Sequence, residues 1–198
     1  MPYLESAQAA VNFVNGLGLN SNNRGEDLDG TSEKLSGSLG KLAIRKNHAM
    51  YMETLDILNG ANEPIEISTL VIPAAVSRQI QFGNCEARAA RAFIYLAEQD
   101  VRPLELMSVG DDHVFLVVGR TSGNIPDYAS WNDDAAISDP WANAAYLKGE
   151  LGIHLTDAPL AEVVGEPPIR ISQCGELLLG ANWPPANLAA HLTRYNLA

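Results

Sequence analysis

Between Glu86 and Val118 the hydrophobic pattern changes period once, and that change limits the folds open to this chain more than any other feature. Ala89, Ala90, Phe93, Ile94, Leu96 and Ala97 fall at helical spacing over 86–99, and the small residues among them allow close packing on a sheet. Leu104–Val109 and His113–Val118 then read as two strands, with Gly110-Asp111-Asp112 between them as a tight antiparallel turn. A helix laid on such a hairpin predicts an α+β fold built on a small antiparallel sheet.

Elsewhere the punctuation is uneven. Ser6 to Asn15 places Ala9, Ala10, Phe13 and Val14 on one stripe, which predicts a helix capped by Ser6 and stopped by Gly16. From Gly16 to Gly40 the chain is rich in Gly, Ser, Asn and Asp. That composition is read as a flexible arm, with a secretion segment as the alternative. Lys41 to Leu58 returns to helical spacing, and Gly60 can end it. Ile65 to Ile72 is β-branched enough for a short strand ended by Pro73. Ala135 to Ser138 predicts another strand, with Pro140 opening a helix through Tyr146. Gly152 to Pro168 is loop-like, Ile169 to Leu179 a strand interrupted at Gly175, and Asn187 to Tyr195 a last helix. The expected organisation is an N-terminal helix and arm over 1–40 followed by one catalytic domain over 41–198.

Charge and cysteine usage narrow the function. With 24 acidic against 13 basic residues the net charge is −11, which argues against nucleic acid or an anionic membrane as partner. No stretch has the length of a membrane span, and the first residues lack the basic-then-apolar layout of a secretory signal peptide. Two cysteines, Cys85 and Cys174, allow at most one disulfide, so a reducing compartment is expected. The four histidines are scattered and no metal-ligand spacing occurs; neither a metal nor another cofactor is expected.

The chemistry gathers around Gly83-Asn84-Cys85, a turn that opens the helix. A thiol in a helix's first turn sits in the field of unsatisfied backbone N–H groups, which favours thiolate and makes Cys85 a candidate nucleophile. Such a thiol needs a base, and the base needs a group that fixes its tautomer. His113 begins a strand of almost unbroken apolar residues, and Asp139 ends another, so neighbouring strands can bring carboxylate and imidazole together. The oxyanion formed on attack requires donors; Cys85's own N–H is one, and Gln79 is the preferred side-chain amide with Gln81 as runner-up. Taken singly, each has a plain alternative: a buried cysteine as a small core residue, Asp-Pro as a turn former, a strand histidine bonded to a carbonyl. The conjunction of three placements supports the catalytic reading. Cys174, His48, His154 and His191 lack comparable settings and are read as structural or surface residues.

Gly-Asn-Cys at a helix start, Asp-His-Val-Phe-Leu-Val-Val-Gly and Asp-Pro-Trp together resemble the papain-like fold of bacterial toxins and translocated effectors. That grouping includes effector cysteine proteases and glutamine deamidases, and the resemblance spans residues 79–148. It implies Cys85 as nucleophile, His113 as general base and acid, and Asp139 as the orienting carboxylate. It further implies a host protein as substrate, delivery into the host cytosol by a specialised secretion system, and a secretion chaperone or host activating factor as partner. Two departures stand out. Glu86 follows the cysteine directly where many relatives have glycine, and the 26-residue spacing from His113 to Asp139 is long. If the intervening segment kept the strands apart, Asp111, Asp112, Asp127, Asp133 or Asp134 would take the place of Asp139. The expected activity is a cysteine protease, with glutamine deamidase or transglutaminase as the alternative and a non-catalytic binding module as the alternative of another class.

Overall fold

Helix α1 spans Pro2–Gly16 and buries Ala7, Ala10, Val11 and Val14. A computed structural model of the chain describes residues 2–20, 65–110, 113–156 and 171–179. The arm beyond residue 20, the helix expected over 41–58, the last helix and the proposed boundary at residue 40 lie outside these. Ser6 is not the cap of α1. The helix begins a turn earlier, at Pro2, where a proline's fixed φ suits the first helical position and its missing N–H costs nothing. Phe13, only partly covered, stacks on Tyr95 with ring centroids 4.3 Å apart.

The strand expected over 65–72 is instead the first half of helix α2, Ile65–Ile80, with Pro73 inside it. Its β-branched residues favour a strand locally, and an interior proline costs a helix about 3 kcal/mol. The apolar run nevertheless continues past Pro73 to a helix's length, and buries Ile72, Ala74 and Val76. Helix α3, Cys85–Glu98, follows as expected and is buried along most of its length.

Among the described residues there are five strands: β1 Leu104–Val109, β2 His113–Val118, β3 Ala136–Asp139, β4 Ala144–Leu147 and β5 Ile171–Leu179. They form one antiparallel sheet in the order β4-β3-β2-β1-β5. The expected hairpin pairs Leu104 with Val118 and Val109 with His113. Along β1 and β5 the pairing steps from Glu105↔Leu178 to Met107↔Gln173, so the bulge in β5 contains the expected interruption at Gly175.

The helix expected from Pro140 to Tyr146 is absent. The chain turns over Pro140–Asn143 and returns as β4, with Asn143 at φ 56. Asparagine tolerates this left-handed conformation, which lets a short connection close the hairpin against the intrinsic preference of Ala144 and Ala145 for helix. In the segment read as loop, Leu151–Thr156 forms a short helix, α4.

Strand alternation divides the core between two faces. Leu104, Leu106, Leu116, Val118 and Ala136 pack with Ala7, Ala10 and Val14 of α1 and Ala89, Ala90 and Phe93 of α3. On the other face Met107, Val109, Phe115, Val117 and Ile137 meet Trp131, Trp141, Tyr146, Leu151 and Leu155. The result is an α+β fold on a small antiparallel sheet. Among the described residues no helix is long and apolar enough to cross a membrane.

Candidate active site

The turn before α3 is built from backbone constraints. Gln81 takes a left-handed φ of 54, and a side chain at Gly83 would press on Ala87 and Leu19, each 3.3 Å from an added Cβ. Asn84 is the N-cap: its backbone is extended, and its Oδ1 accepts from the Ala87 N–H at 3.1 Å. Cys85 is therefore the first residue of α3, where the backbone N–H has no partner within the helix. Cys85 is not in a disulfide, and the residue is 4% exposed. Although the body of α3 packs on the α1 side of the sheet, Cys85 belongs to the opposite cluster, with Trp141 and Phe115.

His113 lies at the start of β2, and β3 runs beside it with Leu116 opposite Ser138. The segment from Gly119 to Asp134 does not prevent this pairing. His113 Nε2 and Asp139 Oδ2 are 2.7 Å apart, with the two side chains both 1% exposed. The other carboxylate oxygen, Oδ1, accepts from the Ala142 N–H at 3.0 Å, so the Asp-Pro-Trp-Ala turn folds around the carboxylate and holds it. Trp141 packs against the imidazole with ring centroids 5.1 Å apart, and Phe115 lies 6.3 Å away on the same ring. With Nε2 committed to Asp139, Nδ1 is left for a second partner, and the ring's second hydrogen bond is to Cys85.

Electrostatics follow from this arrangement. Burial on its own would lower the His113 pKa, but the Asp139 charge and hydrogen bond, then those of Cys85, overcome it and push the imidazole from 6.5 up to about 10. The ring is thus a cation at neutral pH, held between a carboxylate and a thiol. Burial raises the carboxyl of Glu86, next to Cys85, above its ordinary range. The Tyr146 phenol is raised by burial, with the charges of Asp139 and Glu150 adding to it.

The structure brings Cys85, His113 and Asp139 together. Gln79 is exposed on the last turn of α2, and Gln81 is exposed in the turn that follows. Of the substitute carboxylates, Asp127, Asp133 and Asp134 are exposed, Asp133 pairing with Lys148 at 3.2 Å and Asp134 accepting from Asn132 at 2.6 Å. Asp111 and Asp112 lie outside the described residues. His154 stacks on Tyr146 with centroids 3.7 Å apart, a packing role. Among the described residues no three His, Cys, Asp or Glu gather where a metal ion could bind.

Sequence reasoning missed Arg88, one turn along α3 from the cysteine and 1% exposed. Its Nε donates to the Gly83 carbonyl at 3.1 Å, and its Nη2 donates to the Leu19 carbonyl. The readable signal was an arginine in an otherwise alanine-rich buried face, where a charge needs dedicated acceptors. No protein-family model and no curated protein matches this chain.

Proposed function

We propose that this protein is a thiol hydrolase with a papain-like catalytic arrangement that attacks an amide of another protein. One observation carries the reading: the buried Asp139–His113 pair at 2.7 Å whose imidazole also bonds Cys85, the first residue of a helix. In this scheme the cationic His113 already holds the proton given up by Cys85, and the thiolate sulfur attacks the amide carbon. The carbonyl oxygen becomes an oxyanion next to the Cys85 N–H, with the side-chain amide of Gln79, six positions upstream, proposed to assist. His113 then protonates the departing nitrogen as the C–N bond breaks, leaving a thioester. Water, deprotonated by His113, cleaves the thioester and regenerates the thiol. Asp139 keeps the ring oriented and stabilises its charge in every step.

Peptide cleavage is the favoured outcome, given the sequence resemblance to effector proteases; the same resemblance makes a host protein the proposed substrate, reached by specialised secretion. Deamidation of a glutamine side chain uses the same steps with ammonia as leaving group. The 4% exposure of Cys85 favours that second reading, since a slender side chain reaches a sheltered thiol more readily than a peptide backbone does.

The test is to incubate host-cell protein extract with the wild type and with Cys85→Ala and compare the products by mass spectrometry. New termini that depend on Cys85 indicate proteolysis. Glutamine-to-glutamate conversion without cleavage indicates deamidation. Identical peptide populations from the two proteins would remove the hydrolase reading in favour of a binding module.

A further inference from the structure

The nucleophile and the orienting aspartate belong to different parts of the chain, and the hydrogen bonds that fix their turns meet at the end of α1. Asn20 lies beside the pre-cysteine stretch as a parallel bridge to Phe82. Its N–H donates to the Gln81 carbonyl at 3.2 Å, and its carbonyl accepts from Gly83 N–H at 2.8 Å. Arg88 fastens the same place from within α3, reaching the Gly83 and Leu19 carbonyls and, through Nη1, the Asn15 Oδ1 at 3.3 Å. Asn15 has a second contact: its Nδ2 donates to Asn143 Oδ1 at 2.7 Å. Asn143 lies in the turn that wraps the Asp139 carboxylate, one residue after Ala142, whose N–H that carboxylate accepts. A second tie runs parallel, from Ser138 Oγ to the Ala7 carbonyl at 3.1 Å.

We propose that Arg88 and Asn15 are positioning residues: through the end of α1 they lock the turn bearing Cys85 to the turn bearing Asp139, and so set the alignment of thiol and imidazole. The inference rests on the thiol hydrolase reading. Neither side chain touches a reacting atom; both act through the backbone of the two turns. Arg88 suits the task because its planar fork reaches acceptors in three directions at once, which a lysine's single nitrogen cannot.

The test uses the full chain and reads iodoacetamide labelling of the Cys85 peptide by mass spectrometry from pH 6 to pH 9.5. A thiol paired with an imidazolium stays reactive at the acid end, where an unassisted thiol with a pKa of about 8.5 does not. Asn143→Gly removes the bridge acceptor at an exposed residue whose left-handed backbone glycine adopts freely. Asn15→Leu removes the other half, and Asn15→Asp keeps an acceptor for Arg88 and for a flipped Asn143 amide. The expected result is that the pH 6 rate, relative to that at pH 9.5, falls about tenfold in Asn143→Gly and Asn15→Leu. The double variant should lose little more than either single one, and Asn15→Asp should keep the wild-type profile. Wild-type pH profiles in Asn143→Gly and Asn15→Leu overturn the positioning role, as does an Asn15→Asp profile as damaged as that of Asn15→Leu. A melting temperature lowered without any change in profile assigns the bridge to stability alone and overturns the proposal too. If instead the wild type labels no faster at pH 6 than His113→Ala, the hydrolase reading itself fails, and this inference with it.

Discussion

Replacing Asp139 by asparagine isolates what the carboxylate does for His113. The side chain keeps its size and an oxygen for the Ala142 N–H, but loses the charge 2.7 Å from Nε2. In the folded wild type burial lowers the imidazole pKa, yet Asp139 and Cys85 bring it up to about 10 against an ordinary value of 6.5. A histidine raised on folding stabilises the fold fully below its unfolded value and loses that contribution as pH climbs through the folded one. The window is therefore pH 6.5 to about 10, and the difference corresponds to on the order of 5 kcal/mol across it. Without the carboxylate, burial dominates and the ring should be neutral near pH 7. Urea unfolding of wild type and Asp139→Asn at several values from pH 6 to 10 measures the gap directly. It should be widest near pH 6 and narrow steadily toward pH 10. Ring-proton NMR should place the wild-type His113 titration far above 6.5 and that of the variant below it. A gap that stays constant over this range, or a wild-type His113 that titrates near 6.5, would refute the ion-pair account.

Three further changes test the scaffold. Gly119 has φ +79, its N–H donates to the Pro103 carbonyl at 2.8 Å, and any Cβ there would run into the Tyr3 ring of α1. Gly119→Ala should cost about 2 kcal/mol in urea unfolding, from left-handed strain and overpacking together. Arg120→Met leaves the fully buried Glu105 carboxylate without the arginine that grips both its oxygens, and should destabilise the fold by about 3 to 5 kcal/mol. Asn84→Ala deletes the cap of α3 and should cost about 1 kcal/mol, lowering the melting temperature by roughly 2 to 4 °C.

The elements readable in the sequence were those whose local and tertiary demands agree. Helix α3 combines helix-forming alanines with a capping asparagine, and β1 and β2 combine β-branched and long apolar residues with a Gly-Asp turn, so pattern and packing point one way. Asp139 was legible because its strand ends in a proline that cannot continue the ladder. Helix α2 and strand β4 were misread because local preference opposes the outcome. Ile65 to Ile72 favours a strand by composition, and Pro140 favours a helix start; burial against α3 decides the first and the Asn143 turn decides the second. Arg88 and Asn15 were invisible because their roles depend on contacts 69, 73 and 128 positions apart in the chain, and no local pattern encodes such pairs.

Activation of Cys85 by His113 can be read from the rate of iodoacetamide labelling at Cys85 at pH 7 in wild type and His113→Ala, followed peptide by peptide with Cys174 as an internal comparison. Wild-type Cys85 should react faster than Cys174, and His113→Ala should slow Cys85 about tenfold or more while leaving Cys174 unaffected. Equal rates at Cys85 in the two proteins would contradict that activation.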